Sequence, residues 1–293
     1  MLNDCPIVGN APHTPFMLKT LLPYMIAFGV TLIGAVATRL AAGLEHGTRL
    51  AGLFIGVGVM GALFAIPGFE WTAAGPLNRT GHILIGALLV GTAFDVLKAP
   101  RVWKIILLGL FALGCGWASA NNTLILKTAP SMGQLGLALA LALVWAGMIL
   151  RFSAQTAHKA TNLVVLIAAL SGLALLALIV GDRPVTFIAL SFVAALFAFA
   201  LCSIVLNLDL GDGAKIPVVS SLVAIAWALS QRHPEALWGL GVLTLVLFAE
   251  RTARRVPMPQ GGIAAYLYLV VLAGFCAIPI FIAAVLVSAA ASP

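Results

Sequence analysis

The sequence predicts an all-α, polytopic integral membrane protein with about ten transmembrane helices. Three observations carry that prediction. The 293-residue chain is 62% hydrophobic and only 9% charged, and its mean hydropathy is +1.13. A soluble domain carries roughly 25% charged residues, so no water-facing surface of ordinary composition can be built from this chain. Second, apolar runs of about 20 residues, the length a helix needs to cross a hydrocarbon core, recur from one end to the other. Third, the connections between these runs are short and hold most of the basic residues. Nothing remains for a soluble domain. The chain reads as a single transmembrane domain over 1–293, with 1–15 a short non-cytoplasmic N-terminal segment.

In order, the expected spans are 16–42, 50–67, 81–97, 104–120, 132–150, 161–180, 185–207, 216–230, 236–250 and 263–288. Each is helical by default, because lipid offers no partner for backbone N–H and C=O groups and the segment must satisfy its own. The N-terminus has no basic stretch followed by a short apolar core and cleavage site, so no cleaved signal peptide is expected. No internal repeat or low-complexity tract is visible.

The formal net charge is +7. Neither a basic helix nor an aromatic RNA-binding motif accompanies it, which excludes nucleic acid as the expected partner. The positive-inside rule explains the charge instead. Connections after odd-numbered spans, with their flanks, carry Arg39, Arg49, Lys98, Arg101, Lys104, Arg151, Lys159, Lys215, Arg251, Arg254 and Arg255. Those after even-numbered spans carry Arg79, Lys127, Arg183 and Arg232. The odd connections are therefore expected in the cytoplasm and both termini on the other side of the plasma (inner) membrane. Cys115, Cys202 and Cys276 lie in apolar runs without CxxC spacing and read as small buried hydrophobes.

Polar residues concentrate in three places. In GTAFDVLKAPRVWK (91–104), Asp95 ends an apolar run, and Lys98, Arg101 and Lys104 follow. Charge beside a span needs a reason. Either Asp95 is interfacial and pairs with its own basic loop, or it stands at the mouth of a cytoplasmic cleft. In LNLDLGDGAK (206–215), Asn207, Asp209 and Asp212 sit with two glycines between apolar runs. Carboxylates three apart on a glycine-freed backbone suit a divalent cation held through hard oxygens; an ordinary polar turn is the alternative. In ERTARRVPMPQGG (250–262), Arg251, Arg254 and Arg255 form a basic stripe. Contact with lipid headgroups explains it without a site. A polyprenyl phosphate or nucleotide diphosphate is the functional reading, since the guanidinium fork matches phosphate. The histidines are scattered without HxxxH or HExxH spacing, against a zinc site. No Walker A or GxSxG motif occurs.

The order of these features resembles the polyprenyl-phosphate N-acetylhexosamine-1-phosphate transferase superfamily (MraY/WecA-like, glycosyltransferase family 4), collinearly over residues 20–256. GHILIGALLVGTAFDVLKAPRVWKIILLGL (81–110) looks like the family's paired-aspartate segment, basic loop and lysine, with Asp95 at the second aspartate and Lys104 at the lysine. LCSIVLNLDLGDGAK (201–215) looks like the Gly-Asp segment, with Gly211 and Asp212 in register. ALWGLGVLTLVLFAERTARR (236–255) looks like the next span and its double-arginine ending. The chain departs from the family at Phe94, which replaces the first aspartate. It departs again in RFSAQTAH (151–158), where Arg151, Ala154 and Ala157 stand at the positions of an Asn-rich NxxNxxDG motif. The stretch after the double arginine has no histidine.

The resemblance implies an active site on the cytoplasmic face. Asp95, Asp212 and Lys104 would be catalytic. Lys98, Arg101, Arg251, Arg254 and Arg255 would bind substrate or lipid phosphate. Asp209 and Asp212 would hold Mg2+ where catalysis survives. It also implies membrane lipid, polyprenyl phosphate in particular, and a membrane-protein partner or second copy as partners. With metal-ligand positions lost, the expected function is that of a diverged member in cell-envelope polysaccharide or glycolipid biosynthesis without normal sugar-1-phosphate transfer. The alternatives are an active transferase with a rearranged site and a ten-helix transporter. A UbiA-type prenyltransferase lacks its first aspartate-rich motif here, and an intramembrane aspartyl protease would need its first aspartate later than Asp95.

Overall fold

The structure is a computed structural model that describes residues 14–72, 75–97, 100–120, 131–154, 159–253, 255 and 262–291. Among them every element is helical, and ten stretches are long and apolar enough to cross a membrane. The order is α1 (Thr14–Ala41), α2 (Gly43–Leu50), α3 (Leu53–Leu63), α4 (Pro76–Leu97), α5 (Arg101–Ala120), α6 (Met132–Ala154), α7 (Lys159–Ile179), α8 (Arg183–Leu206), α9 (Asp212–Arg232), α10 (Ala236–Leu243), a 3-10 segment (Thr244–Phe248), α11 (Ala249–Ala253) and α12 (Gly262–Ala291). The second span is built from α2 and α3, and the ninth from α10, the 3-10 segment and α11.

Every expected span is present, but several limits move. The second runs over His46–Leu63 rather than 50–67, and the third begins at Pro76 rather than 81. Proline suits a first helical turn, whose N–H groups have no intrahelical acceptor. The earlier start draws Arg79 into the bundle, where it is buried. Its Nη1 donates to the carbonyl of Ala118 at 2.8 Å. Trp227 Nε1 donates to the next carbonyl, Ser119, at 3.1 Å. Two of the last carbonyls of α5, which no intrahelical N–H can reach, are thus satisfied from α4 and α9.

The core is organised around α9. Its spanning window is 83% buried, whereas those of α1, α5 and α12 are 28%, 22% and 28% buried. Polar side chains within a span face the bundle interior; α9 buries Ser220, Ser221 and Ser230 and packs against α4, α6, α7, α8 and α10. The outer helices turn large apolar side chains such as Ile33, Leu110 and Phe281 to lipid. Without a hydrophobic force between helices in lipid, close approach relies on small residues. At the α5–α6 contact a Cβ on Gly116 would lie 2.2 Å from the Ala138 carbonyl oxygen. At the α4–α9 contact a Cβ on Gly91 would lie 2.7 Å from the Asp212 oxygen and 2.9 Å from Gly213 Cα. A side chain at either glycine would force the helices apart.

At the opposite end, Gly181 takes φ +78° and turns the chain from α7 into α8. Asp182 then caps α8, accepting the Val185 N–H at 3.2 Å. Its side chain is fully buried, and Arg232 at the end of α9 reaches it at 2.9 Å.

Candidate functional site

The ends of α4, α5, α6 and α9 that adjoin the odd-numbered connections meet around one cavity of about 370 Å³. Phe94 comes from α4, Lys104, Ile105 and Leu108 from α5, Leu150 and Ser153 from α6, and Asp212 and Ile216 from α9. The lining mixes apolar side chains with an ammonium, a carboxylate and a hydroxyl.

The local fold follows from the stretch 206–215. Asn207 ends α8 in the left-handed region (φ 50°, ψ 49°). Asparagine tolerates this conformation better than other side-chain-bearing residues. The chain then passes α2, where the Asp209 N–H donates to the Thr48 carbonyl at 3.3 Å. Gly211 precedes α9, and a Cβ there would lie 2.6 Å from Asp95 Oδ2. Asp212 is the first residue of α9.

Asp95 is the capping group for α9, supplied from another helix. Its Oδ1 accepts the Asp212 N–H at 3.1 Å, and its Oδ2 accepts the Gly213 N–H at 2.7 Å. Both N–H groups lie in the first turn of the helix and lack intrahelical partners. A carboxylate also complements the positive end of the helix dipole. The Asp212 side chain points the other way and accepts from Lys104 Nζ at 3.0 Å. That pair is partly exposed, 34% for Lys104 and 23% for Asp212. The ammonium also stands 5.5 Å from the centroid of the Phe94 ring.

The structure therefore brings together Asp95, Asp212 and Lys104. The other sequence-predicted residues fare differently. Asp209 is half-buried and not part of the cavity wall. Arg251 is exposed and stands 6.0 Å from the Phe248 ring centroid, away from the cavity wall. Arg255 is exposed in a turn, its N–H donating to the Thr252 carbonyl at 3.1 Å. Lys98 and Arg254 lie outside the described residues, as does the side chain of Arg101, whose backbone opens α5.

Two residues have roles the sequence did not show. Ser153 lines the cavity one turn after Leu150; it stands inside RFSAQTAH, the stretch where the chain departs from the family's Asn-rich motif. Arg151, next door, stays out of the cavity wall. Its guanidinium donates to the Leu247 carbonyl and stacks 4.2 Å from the Phe248 ring centroid. A 3-10 turn inside an α-helical span leaves carbonyls without the usual partner, and Arg151 serves one of them.

A divalent cation does not fit the described donors well. Among the described residues no group of three or more His, Cys, Asp or Glu clusters tightly enough to hold a metal. Both oxygens of Asp95 are engaged by backbone N–H groups, and Asp212 Oδ2 by Lys104. Mg2+ prefers six oxygens at about 2.0–2.1 Å, and among the described residues the cavity lining holds one carboxylate, Asp212, already paired with Lys104.

A second cavity, of about 170 Å³, is almost wholly apolar. It is walled by α6, α7, α9, α10 and the 3-10 segment, including Met148, Leu173, Val223 and Leu243. Helices α6 and α9 wall both cavities.

No protein-family model matches the chain, and no curated protein matches it at a significant level. The chemistry of the site rests on its own geometry.

Proposed function

We propose that this membrane protein is a diverged relative of the polyprenyl-phosphate sugar-1-phosphate transferases that binds the phosphate end of an isoprenoid lipid and does not carry out normal transfer. Its setting is cell-envelope polysaccharide or glycolipid synthesis at the plasma membrane, with the cavity facing the cytoplasm. The observation that supports this reading is the pairing of Lys104 and Asp212, from two different helices, in the lining of a half-polar, half-apolar cavity, with Asp95 of a third helix capping the turn that carries Asp212. A phosphate headgroup suits the ammonium and hydroxyl, and the first isoprenyl units suit the apolar wall. The second, apolar cavity, also walled by α6 and α9, gives a longer chain somewhere to lie between helices.

The chemical argument against turnover is the donor set. In the family reaction charge builds on a diphosphate, and a metal held by carboxylates neutralises it. Here Asp95 is committed to capping α9, and Phe94 offers no oxygen. Reconstituted protein given UDP-N-acetylhexosamines, polyprenyl phosphate and Mg2+ is expected to release no UMP above a protein-free control. Magnesium-dependent UMP release would overturn the non-catalytic reading in favour of an active transferase with a rearranged site. In that event Asp212→Asn should abolish turnover while expression stays intact.

A further inference from the structure

We infer that the Lys104 ammonium is the resident cation of this site, so that the cavity binds a phosphate-headed amphiphile without a divalent metal. The inference rests on the lipid-phosphate reading above and adds to it how the charge is balanced.

The argument starts from what holds Lys104. Its ammonium is fixed from two sides, by Asp212 Oδ2 at 3.0 Å and by the face of Phe94 at 5.5 Å. An aromatic ring face attracts a cation through its quadrupole. Lysine has three N–H donors, and the contact with Asp212 uses one. The others are available to the cavity that Lys104 lines. A phosphate oxygen there would meet an ammonium already desolvated on one side and held in place, so little side-chain entropy is lost on binding. Ser153 offers a hydroxyl on the facing helix.

The same geometry disfavours a metal. A divalent ion at Asp212 would displace the ammonium or sit beside it and be repelled. Phe94, beside Lys104 in the cavity lining, offers a metal no oxygen from its side chain. Asp95 cannot turn to help without uncapping α9. The positive charge the site offers is thus covalently attached, and a bound phosphate shares it with Asp212. The ligand is an amphiphile rather than free phosphate because Phe94, Ile105, Leu108 and Ile216 form an apolar wall that inorganic phosphate would leave unused.

The test uses the full-length protein in neutral maltoside micelles, with farnesyl phosphate as the probe and calorimetry as the readout. Dissociation constants are compared in EDTA and in excess Mg2+. The expected result is a difference below about twofold, because no metal contact is made or lost. Lys104→Met is expected to weaken binding by about tenfold or more, the loss of one charge-assisted contact, and Lys104→Arg to restore most of it. Phe94→Asp places a carboxylate beside Asp212 and is expected to make binding respond to Mg2+. Inorganic phosphate should compete at least about tenfold more weakly than the probe, since it buries no apolar surface.

The EDTA comparison on the unaltered protein needs no variant to fold. A loss of tenfold or more in EDTA would overturn the metal-free inference and leave the lipid-phosphate reading standing. Absence of binding in both conditions would overturn that reading and the inference with it. Equal potency of inorganic phosphate would overturn the amphiphile assignment.

Discussion

Replacing Asp95 with alanine is expected to destabilise the protein by about 3 kcal/mol and to abolish binding at the cavity. The two N–H groups of Asp212 and Gly213 would lose the carboxylate oxygens that accept them. A hydrogen bond to a charged group contributes about 1.5–3 kcal/mol, and an N–H left unpaired out of water costs its desolvation. Two such bonds would suggest up to about 6 kcal/mol, but Asp95 is only half-buried, so water can reach the freed N–H groups and lowers the figure. The favourable meeting of a carboxylate with the α9 dipole is lost as well. Asp95→Asn keeps the volume but offers one acceptor oxygen to two donors, and its effect should be about half as large. Thermal unfolding in detergent measures the stability change. Hydrogen exchange at the Asp212 and Gly213 amides reads the cap directly. Unchanged melting and unchanged protection in Asp95→Ala would mean that the cap is not formed. The binding loss has a geometric cause: without the cap, the start of α9 is free to shift, and Asp212 moves away from Lys104.

Much of this was legible in the sequence, for a physical reason. Lipid imposes a span length and forbids unpaired backbone, so ten apolar runs translate into ten spans. Alternation of spans then puts Asp95 and Asp212 at the same end of the bundle, because both precede or follow odd-numbered connections. The role of Asp95 was not legible. Its partners are 117 and 118 residues away, and helices apolar on every side carry no stripe to say which face meets which neighbour. The sequence therefore offered an interfacial carboxylate or a catalytic one at the mouth of a cytoplasmic cleft, and the structure shows a helix cap. Arg79 and Arg151 escaped for a related reason. Each was counted as a loop charge, yet each reaches a carbonyl left unpaired at the end or break of another helix. Such carbonyls are consequences of helix boundaries, which pattern reading locates only to within a few residues. Gly91 was visible as one of many glycines, but only the crossing of α4 and α9 explains why that position excludes a side chain.

The far end of α9 supplies the second large effect, and it separates stability from binding. Asp182→Ala is expected to destabilise by about 3 kcal/mol, with probe affinity at the cavity unchanged. The carboxylate is fully buried. It caps α8 through the Val185 N–H at 3.2 Å, and Arg232 Nη1 lies 3.0 and 2.9 Å from its two oxygens. His233 Nε2 stands 3.6 Å away. Loss of an N-cap costs about 1 kcal/mol. Breaking a buried pair by removing one partner costs about 3–5 kcal/mol when the survivor is buried. Here the survivor is Arg232, 39% exposed, and it can turn toward water, so the pair contributes less. The converse change is the harsher one in kind. Arg232→Met leaves the charge inside, on Asp182. A double-mutant cycle between the two is expected to show coupling of about 1–2 kcal/mol, and additivity would mean the contact does not hold α8 to α9. Because α9 runs 21 residues from Asp212 to Arg232, this clamp lies about 30 Å from the cavity. Asp95→Ala should lower both stability and probe affinity; Asp182→Ala should lower stability alone. If both variants lost affinity in proportion to their melting temperatures, the binding defect would reflect unfolding, and Asp95 would have no part in shaping the site.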